Sequence, residues 1–227
     1  MIELIINDKK YSIKTQWAEF TFAEYAVLVR AAIKPLQERL AIYTGLPGEL
    51  VSKLTLAQVA FISDSLSFLD EPENAFIFAH KYEDELNVGR KTYGDFEQAL
   101  QFIQKADNQI LSIPKVIECF YGEKLEGENL LKVLGKGAFV LDKISKFVHE
   151  FKRLSEYEPT PEEIEAGVDE LNVFGVFATV DALAEKYSKD PDEILKWEAR
   201  KVYTILLKDF DKSQIERRIN KIRSRKK

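Results

Sequence analysis

The chain has 227 residues, 45% of them hydrophobic and 31% charged, a balance that excludes a mainly disordered protein and suits one large domain or two small ones. Its net charge of −5 argues against a nucleic-acid binder, and a single cysteine, Cys119, excludes an internal disulfide framework. No stretch approaches the ~20 apolar residues of a membrane span, and Met1-Ile-Glu-Leu-Ile-Ile-Asn-Asp8 lacks the basic segment and long apolar run of a signal peptide, so a soluble cytoplasmic protein is expected.

In chain order, Ile2–Ile6 and Tyr11–Lys14 are short β-rich runs joined by polar residues, which predicts a hairpin. Thr21-Phe-Ala-Glu24 follows, a threonine with an acid three residues on, and predicts a capped helix. The pattern recurs at Thr92-Tyr-Gly-Asp95. Two further blocks recur in the same order: Tyr43-Thr-Gly45 as Phe120-Tyr-Gly122, and Ala60-Phe-Ile-Ser-Asp64 as Ala138-Phe-Val-Leu-Asp142. The matches predict an internal repeat, with copies over about 1–70 and 72–149. A second hairpin is then expected from Ala75–Ala79 and Glu85–Val88, and pairing the two hairpins into one small sheet would remove two open edges.

After Leu154 the composition shifts. Residues 155–161 contain two prolines and no apolar run and read as a linker. Thr160-Pro-Glu-Glu163 and Asp190-Pro-Asp-Glu193 are helix starts with proline in the first turn. A closing helix carries Val202, Ile205, Leu206, Phe210, Ile215, Ile219 and Ile222 near helical period. The fold class expected is therefore α+β and predominantly helical: a duplicated hairpin-plus-helices domain over 1–154 and a helical module over 162–227.

Charge is unevenly placed. Residues Arg217 to Lys227 include seven basic and no acidic side chains, and Glu156 to Glu170 include seven acidic and no basic ones. A basic C-terminal turn suits the helix dipole, and the acidic remainder would repel nucleic acid. A helix-turn-helix over 178–207 would place the acids of Asp190–Glu193 where a recognition helix meets DNA, which counts against it.

No chemistry-bearing pattern emerges. His80 and His149 have no second ligand at metal-binding spacing, so no metal or cofactor is expected. Gly135-Lys136-Gly137 lacks the spacing of a phosphate loop and reads as a turn or helix start. Cys119 has no identifiable histidine partner and reads as an inert buried thiol. No catalytic residue is therefore assigned. The aromatic residues Phe174, Phe177, Trp197 and Tyr203 are dense for so small a module and serve either its core or an interface. With Arg217, Arg218 and Lys221 as orienting charges, they form the expected protein-binding set.

The segments Ile13-Lys-Thr-Gln-Trp17-Ala-Glu-Phe-Thr-Phe-Ala-Glu-Tyr25 and Lys91-Thr-Tyr-Gly-Asp-Phe96, together with Phe174-Gly175, Leu183-Ala184 and the closing helix, resemble the tail assembly chaperones and related tail-module proteins of long-tailed bacteriophages. The resemblance implies a non-enzymatic protein of the host cytoplasm that coats a tape-measure protein and recruits tail-tube subunits. The duplicated first half departs from the usual small chaperone. A permanent structural component of the virion and a DNA-binding regulator are the other classes in play, and self-association is a further partner option.

Overall fold

The computed structural model describes residues 2–6, 9–106, 108–125, 127–155, 157, 159–165, 167, 170 and 174–224. The chain is predominantly helical with a small antiparallel sheet. It divides into two compact units, one from 1–84 with 106–139 and the other from 85–105 with 140–227.

In the first unit, β1 (Ile2–Ile6) and β2 (Lys9–Ile13) form the hairpin, in a register that pairs Ile2 with Ile13 and Ile6 with Lys9. The turn residues Asn7 and Asp8 lie outside the described set. A helical turn at Trp17–Glu19 leads into α1 (Phe22–Ala31), which starts in a full capping box: Glu24 N–H donates to Thr21 Oγ1 at 3.3 Å, and Thr21 N–H donates to Glu24 Oε2 at 2.8 Å. Lys14 holds the same carboxylate from the hairpin at 2.6 Å. The buried Trp17 ring meets Phe68 edge-on at 4.9 Å and Tyr25 at 5.8 Å, so the turn before the helix anchors the local core. Short helices follow: α2 (Leu36–Thr44), closed by Gly45 at φ 68°, α3 (Gly48–Val51) and α4 (Leu56–Ser65).

The expected second hairpin is absent. Residues Pro72–Phe78 form a 3-10 helix, and 79–87 carry no strand, so the sheet has two strands among the described residues and no shared four-stranded sheet forms. Long-range hydrogen bonding, one backbone and one side-chain bond, explains the change. His80 N–H donates to the Leu131 carbonyl at 3.1 Å, and Tyr121 Oη donates to Asp84 at 2.9 Å, so this segment is pinned to helices instead of to a strand. Those helices are α6 (Gln109–Tyr121) and the long α7 (Leu130–Glu150), whose first half belongs to this unit.

In the second unit α5 (Tyr93–Lys105) starts at Thr92, whose Oγ1 accepts from Asp95 N–H at 3.1 Å. The other elements are the second half of α7, α8 (Lys152–Ser155), α9 (Pro161–Glu165), α10 (Val176–Tyr187), α11 (Pro191–Leu195) and α12 (Ala199–Ser224). Asp190 caps α11 with Oδ1 2.8 Å from Asp192 N, and α9 begins at Pro161, as the local grammar implies. The expected boundary near 154 does not coincide with the packing division. Residues 85–105 and 140–154 group with the last helices because Tyr203 of α12 lies within 5.3–5.6 Å of the rings of Phe96, Phe147 and Phe151.

One device occurs in both units. Thr21 forms an isolated antiparallel bridge with Asn129, just before α7, and Thr92 forms one with Glu198, just before α12. Phe22 N–H donates to the Glu128 carbonyl at 3.0 Å and Leu130 N–H to that of Phe20 at 2.9 Å; in the second unit, Tyr93 N–H donates to Trp197 O at 2.7 Å and Ala199 N–H to Lys91 O at 2.9 Å. The residues that follow are buried at the same steps: Phe22 and Tyr25 against Tyr93 and Phe96, Leu130 and Val133 against Ala199 and Val202. The pairing thus joins each threonine-capped helix to a later long helix of its own unit. Of the later blocks of the expected repeat, Tyr43-Thr-Gly45 and Phe120-Tyr-Gly122 each end a helix on a glycine at φ 68°, and both lie in the first unit.

Candidate protein-binding surface

The four aromatic side chains singled out from the sequence separate into two pairs. Trp197 is half-buried, packs against the cluster of Val180, Leu183, Ile194 and Val202, and meets Tyr187 edge-on at 5.3 Å, with Lys201 Nζ 3.5 Å from its ring centroid. Tyr203 lies among four other rings and its hydroxyl donates to Glu97 Oε1 at 3.0 Å. Burial pushes the Glu97 carboxyl above its ordinary value, against the opposing hydrogen bonds from Tyr203 and Tyr93; burial and the nearby Glu97 charge push both tyrosines up as well. These two residues hold the unit together. Phe174 and Phe177, at the start of α10, are 59% and 66% exposed.

The basic side chains separate too. Arg217 donates to Tyr157 Oη at 2.6 Å and stacks over that ring, which in turn meets Phe210 edge-on at 5.3 Å, so this arginine is engaged within the chain. Arg218 is exposed, whereas the Lys221 side chain lies outside the described set. Much of the acidic block falls there as well: Glu156, Glu158 and Asp169 are not described, nor are the side chains of Glu162 and Glu163.

The feature that residue-type reasoning missed is on α12. Val202 is fully buried, and Leu206 and Phe210 are half-buried along the same face. Ile215, Ile219 and Ile222 are 55%, 41% and 55% exposed. With ~100° between successive residues, these three stand about 140–180° around the axis from Leu206. They are on the opposite side of the helix, not a continuation of the core stripe. A phase comparison would have found them, because Val202, Leu206 and Phe210 step by four whereas Ile215 breaks that step by one. Arg218 and Arg223, both exposed, flank the ridge. An apolar ridge left 41–55% exposed, rimmed by guanidinium groups, is chemistry suited to a protein partner.

Gly135 and Gly137 lie inside α7, which corrects the reading of Gly135-Lys136-Gly137 as a turn or helix start. A Cβ on Gly135 would fall 1.9 Å from the His80 carbonyl oxygen, and one on Gly137 would fall 2.3 Å from Ile113 Cγ2, so both are points of close packing. Lys136 between them is 8% exposed; its Nζ donates to Glu123 at 2.6 Å and sits 3.7 Å from the Tyr121 ring centroid. A cavity of about 430 Å³ beside it is lined by residues including His80, Tyr82, Lys132 and Val133. The ammonium is held by its own chain. Cys119 is half-buried in α6. Among the described residues no group of three or more His, Cys, Asp or Glu side chains could hold a metal ion, and no helix is long and apolar enough to cross a membrane. No known protein family, curated protein or solved structure matches this chain.

Proposed function

We propose that the protein is a non-enzymatic assembly factor that works by docking the outer face of α12 on an amphipathic helix of a partner protein. The observation that carries this reading is the two-faced helix: one apolar stripe is used in the core of its own unit, and the second, Ile215, Ile219 and Ile222, keeps about half of its surface exposed on the opposite side. A surface helix normally buries one stripe, so a second one marks a second packing partner. The exposed Arg218 and Arg223 beside the ridge select acidic residues at the partner's rim, which speed encounter and fix orientation more than they add affinity. Phe174 and Phe177 extend the exposed apolar surface of the same unit. With the likeness to tail assembly chaperones of long-tailed bacteriophages, the partner class becomes the long helical tape-measure protein, with tail-tube subunits recruited in turn.

The test is co-expression with the longest helical product of the same gene cluster, followed by co-purification and sedimentation. Ile215→Glu combined with Ile219→Glu should abolish the complex while leaving the circular dichroism spectrum and melting temperature unchanged. Charge reversal at Arg218 and Arg223 should slow association chiefly at low salt. A complex that survives the Ile215/Ile219 double variant overturns the α12 site. Full stoichiometric retention in purified particles makes the protein a virion component and overturns the chaperone assignment.

A further inference from the structure

The free edge of β1 and the groove beside it form a second interaction surface, remote in sequence from α12 and independent of the reading above. The groove has a volume of about 240 Å³ and, apart from Gln58, is lined by apolar residues: Leu4, Ile5 and Ile6 of β1, Leu54, and Ala57, Phe61 and Ile62 of α4. Ile5 is 67% exposed, Phe61 54% and Leu56, on the same helix, 87%. Among the described residues β1 pairs only with β2, so its other edge presents unpaired N–H and C=O groups.

The two edges of the hairpin are treated differently. β2 carries Lys9 and Lys10, the kind of charge that keeps an edge from pairing. β1, Ile-Glu-Leu-Ile-Ile, has no proline and no lysine, and its one charge, Glu3, is paired diagonally across the hairpin with Lys10 at 3.5 Å. An unguarded strand edge beside an apolar groove specifies its occupant more closely than an apolar patch does, because backbone hydrogen bonding demands an extended chain whose alternate side chains are apolar.

We infer that the occupant is β1 of a second copy, paired antiparallel about a two-fold axis through Leu4, so that two hairpins join into one four-stranded sheet. The register follows from β1 itself. Centred on Leu4, Ile2 lies opposite Ile6 of the second copy, and Glu3 lies opposite its Ile5. The two Glu3 carboxylates are thereby kept apart, whereas pairing centred on Glu3 would set them face to face. Ile2, Leu4 and Ile6 of both copies then form one unbroken apolar row on one face of the sheet. The symmetry also brings the two α4 helices together above that row, covering Phe61 and Leu56. The contact is isologous and closed, which limits assembly to a dimer.

Three measurements test this. Sedimentation equilibrium should give a dimer, and Ile5→Glu, which sets a second carboxylate against Glu3 of the other copy, with Phe61→Glu, both at exposed positions, should give a monomer with an unchanged circular dichroism spectrum. Ile219→Glu on α12 should leave the dimer intact, which separates this contact from the α12 surface. Register is read by cysteine crosslinking in a Cys119→Ser background. Leu4→Cys should form an intermolecular disulfide, since facing Cβ atoms lie about 4.5–5.5 Å apart. Ile6→Cys alone should not crosslink, because its copies lie about 14 Å apart at ~3.4 Å per residue. A mixture of Ile2→Cys and Ile6→Cys chains should crosslink to each other. A monomer at all concentrations, a dimer untouched by the Ile5/Phe61 changes, or Ile6→Cys crosslinking as readily as Leu4→Cys would overturn the proposal. Capture of a foreign strand by a monomer would also overturn it.

Discussion

At the residue scale, the second unit turns on Glu97. Its carboxylate accepts a hydrogen bond from Tyr203 at 3.0 Å within an aromatic cluster, and burial keeps its proton bound above the ordinary 4.5. The folded chain therefore holds this proton in a pH range where the unfolded chain has lost it, so Glu97 lowers stability as pH rises through that range. Glu97→Gln keeps an acceptor for Tyr203 and removes the titration. Any cost of the new amide N–H is the same at every pH. Measured by urea unfolding, the stability of Glu97→Gln relative to wild type should be more favourable at pH 7 than at pH 4; the opposite trend would refute the buried carboxylate. Phe147→Ala, at the centre of the same ring cluster, should cost about 3–5 kcal/mol. In the first unit Gly135→Ala forces a methyl group into the His80 carbonyl and should cost roughly 1–3 kcal/mol by the same measurement, although alanine is the better helix former.

At the scale of elements, local rules were legible and pairing was not. The caps at Thr21 and Asp190, the threonine–aspartate pair at Thr92, the first hairpin and the extent of α12 follow from side chains that act within four residues, which a sequence displays directly. Ala75–Ala79 has the apolar content of a strand, but it lies beside Pro72, and the backbone after it bonds to α7, a long-range choice that a local pattern does not encode. The candidate surface fared similarly. Residue type singled out Trp197 and Tyr203, which α12 and α5 draw inward, and passed over Ile215, Ile219 and Ile222, whose significance lies only in their phase. Phase makes a direct prediction: Val202→Ala should cost about 1–2 kcal/mol, through two lost methyl groups and the cavity left behind. Ile222→Ala, an equally apolar change on the same helix, should stay within about 0.5 kcal/mol. Equal losses at the two positions, measured by thermal unfolding, would mean that the ridge is packed after all.

At the scale of the whole molecule, both units are discontinuous in sequence, and this bears on how the chain can be cut. Composition places a boundary near residue 154, where proline and acidic residues replace the apolar pattern. Packing places residues 85–105 and 140–154 with the last helices, and the reason is specific: Val202 and Tyr203 leave α12 toward Tyr93 and Phe96 of α5, and the bridge of Thr92 to Glu198 ties the starts of both helices. Edge-on aromatic pairs contribute about 0.5–1.5 kcal/mol each beyond the area they bury, and Tyr203 makes four such contacts in the tilted-to-edge range. A fragment of residues 155–227 loses all four together with the Thr92 bridge, and the buried residues it keeps among those described are Val180, Leu183, Ala184, Ile194, Ala199 and Val202, with Trp197 and Leu206 packed against them. Such a core is too small to offset the conformational entropy of the roughly 60 described residues of the fragment. The fragment should therefore keep partial helicity but show no cooperative thermal transition and poor dispersion of its amide proton resonances. Tyr93→Ala with Phe96→Ala in the full chain should abolish cooperative unfolding of residues 199–210, read by amide hydrogen exchange, while Tyr25 and Phe120 of the first unit stay protected. A fragment 155–227 that unfolds cooperatively with well-dispersed resonances would restore the boundary at 154 and refute the division drawn from packing.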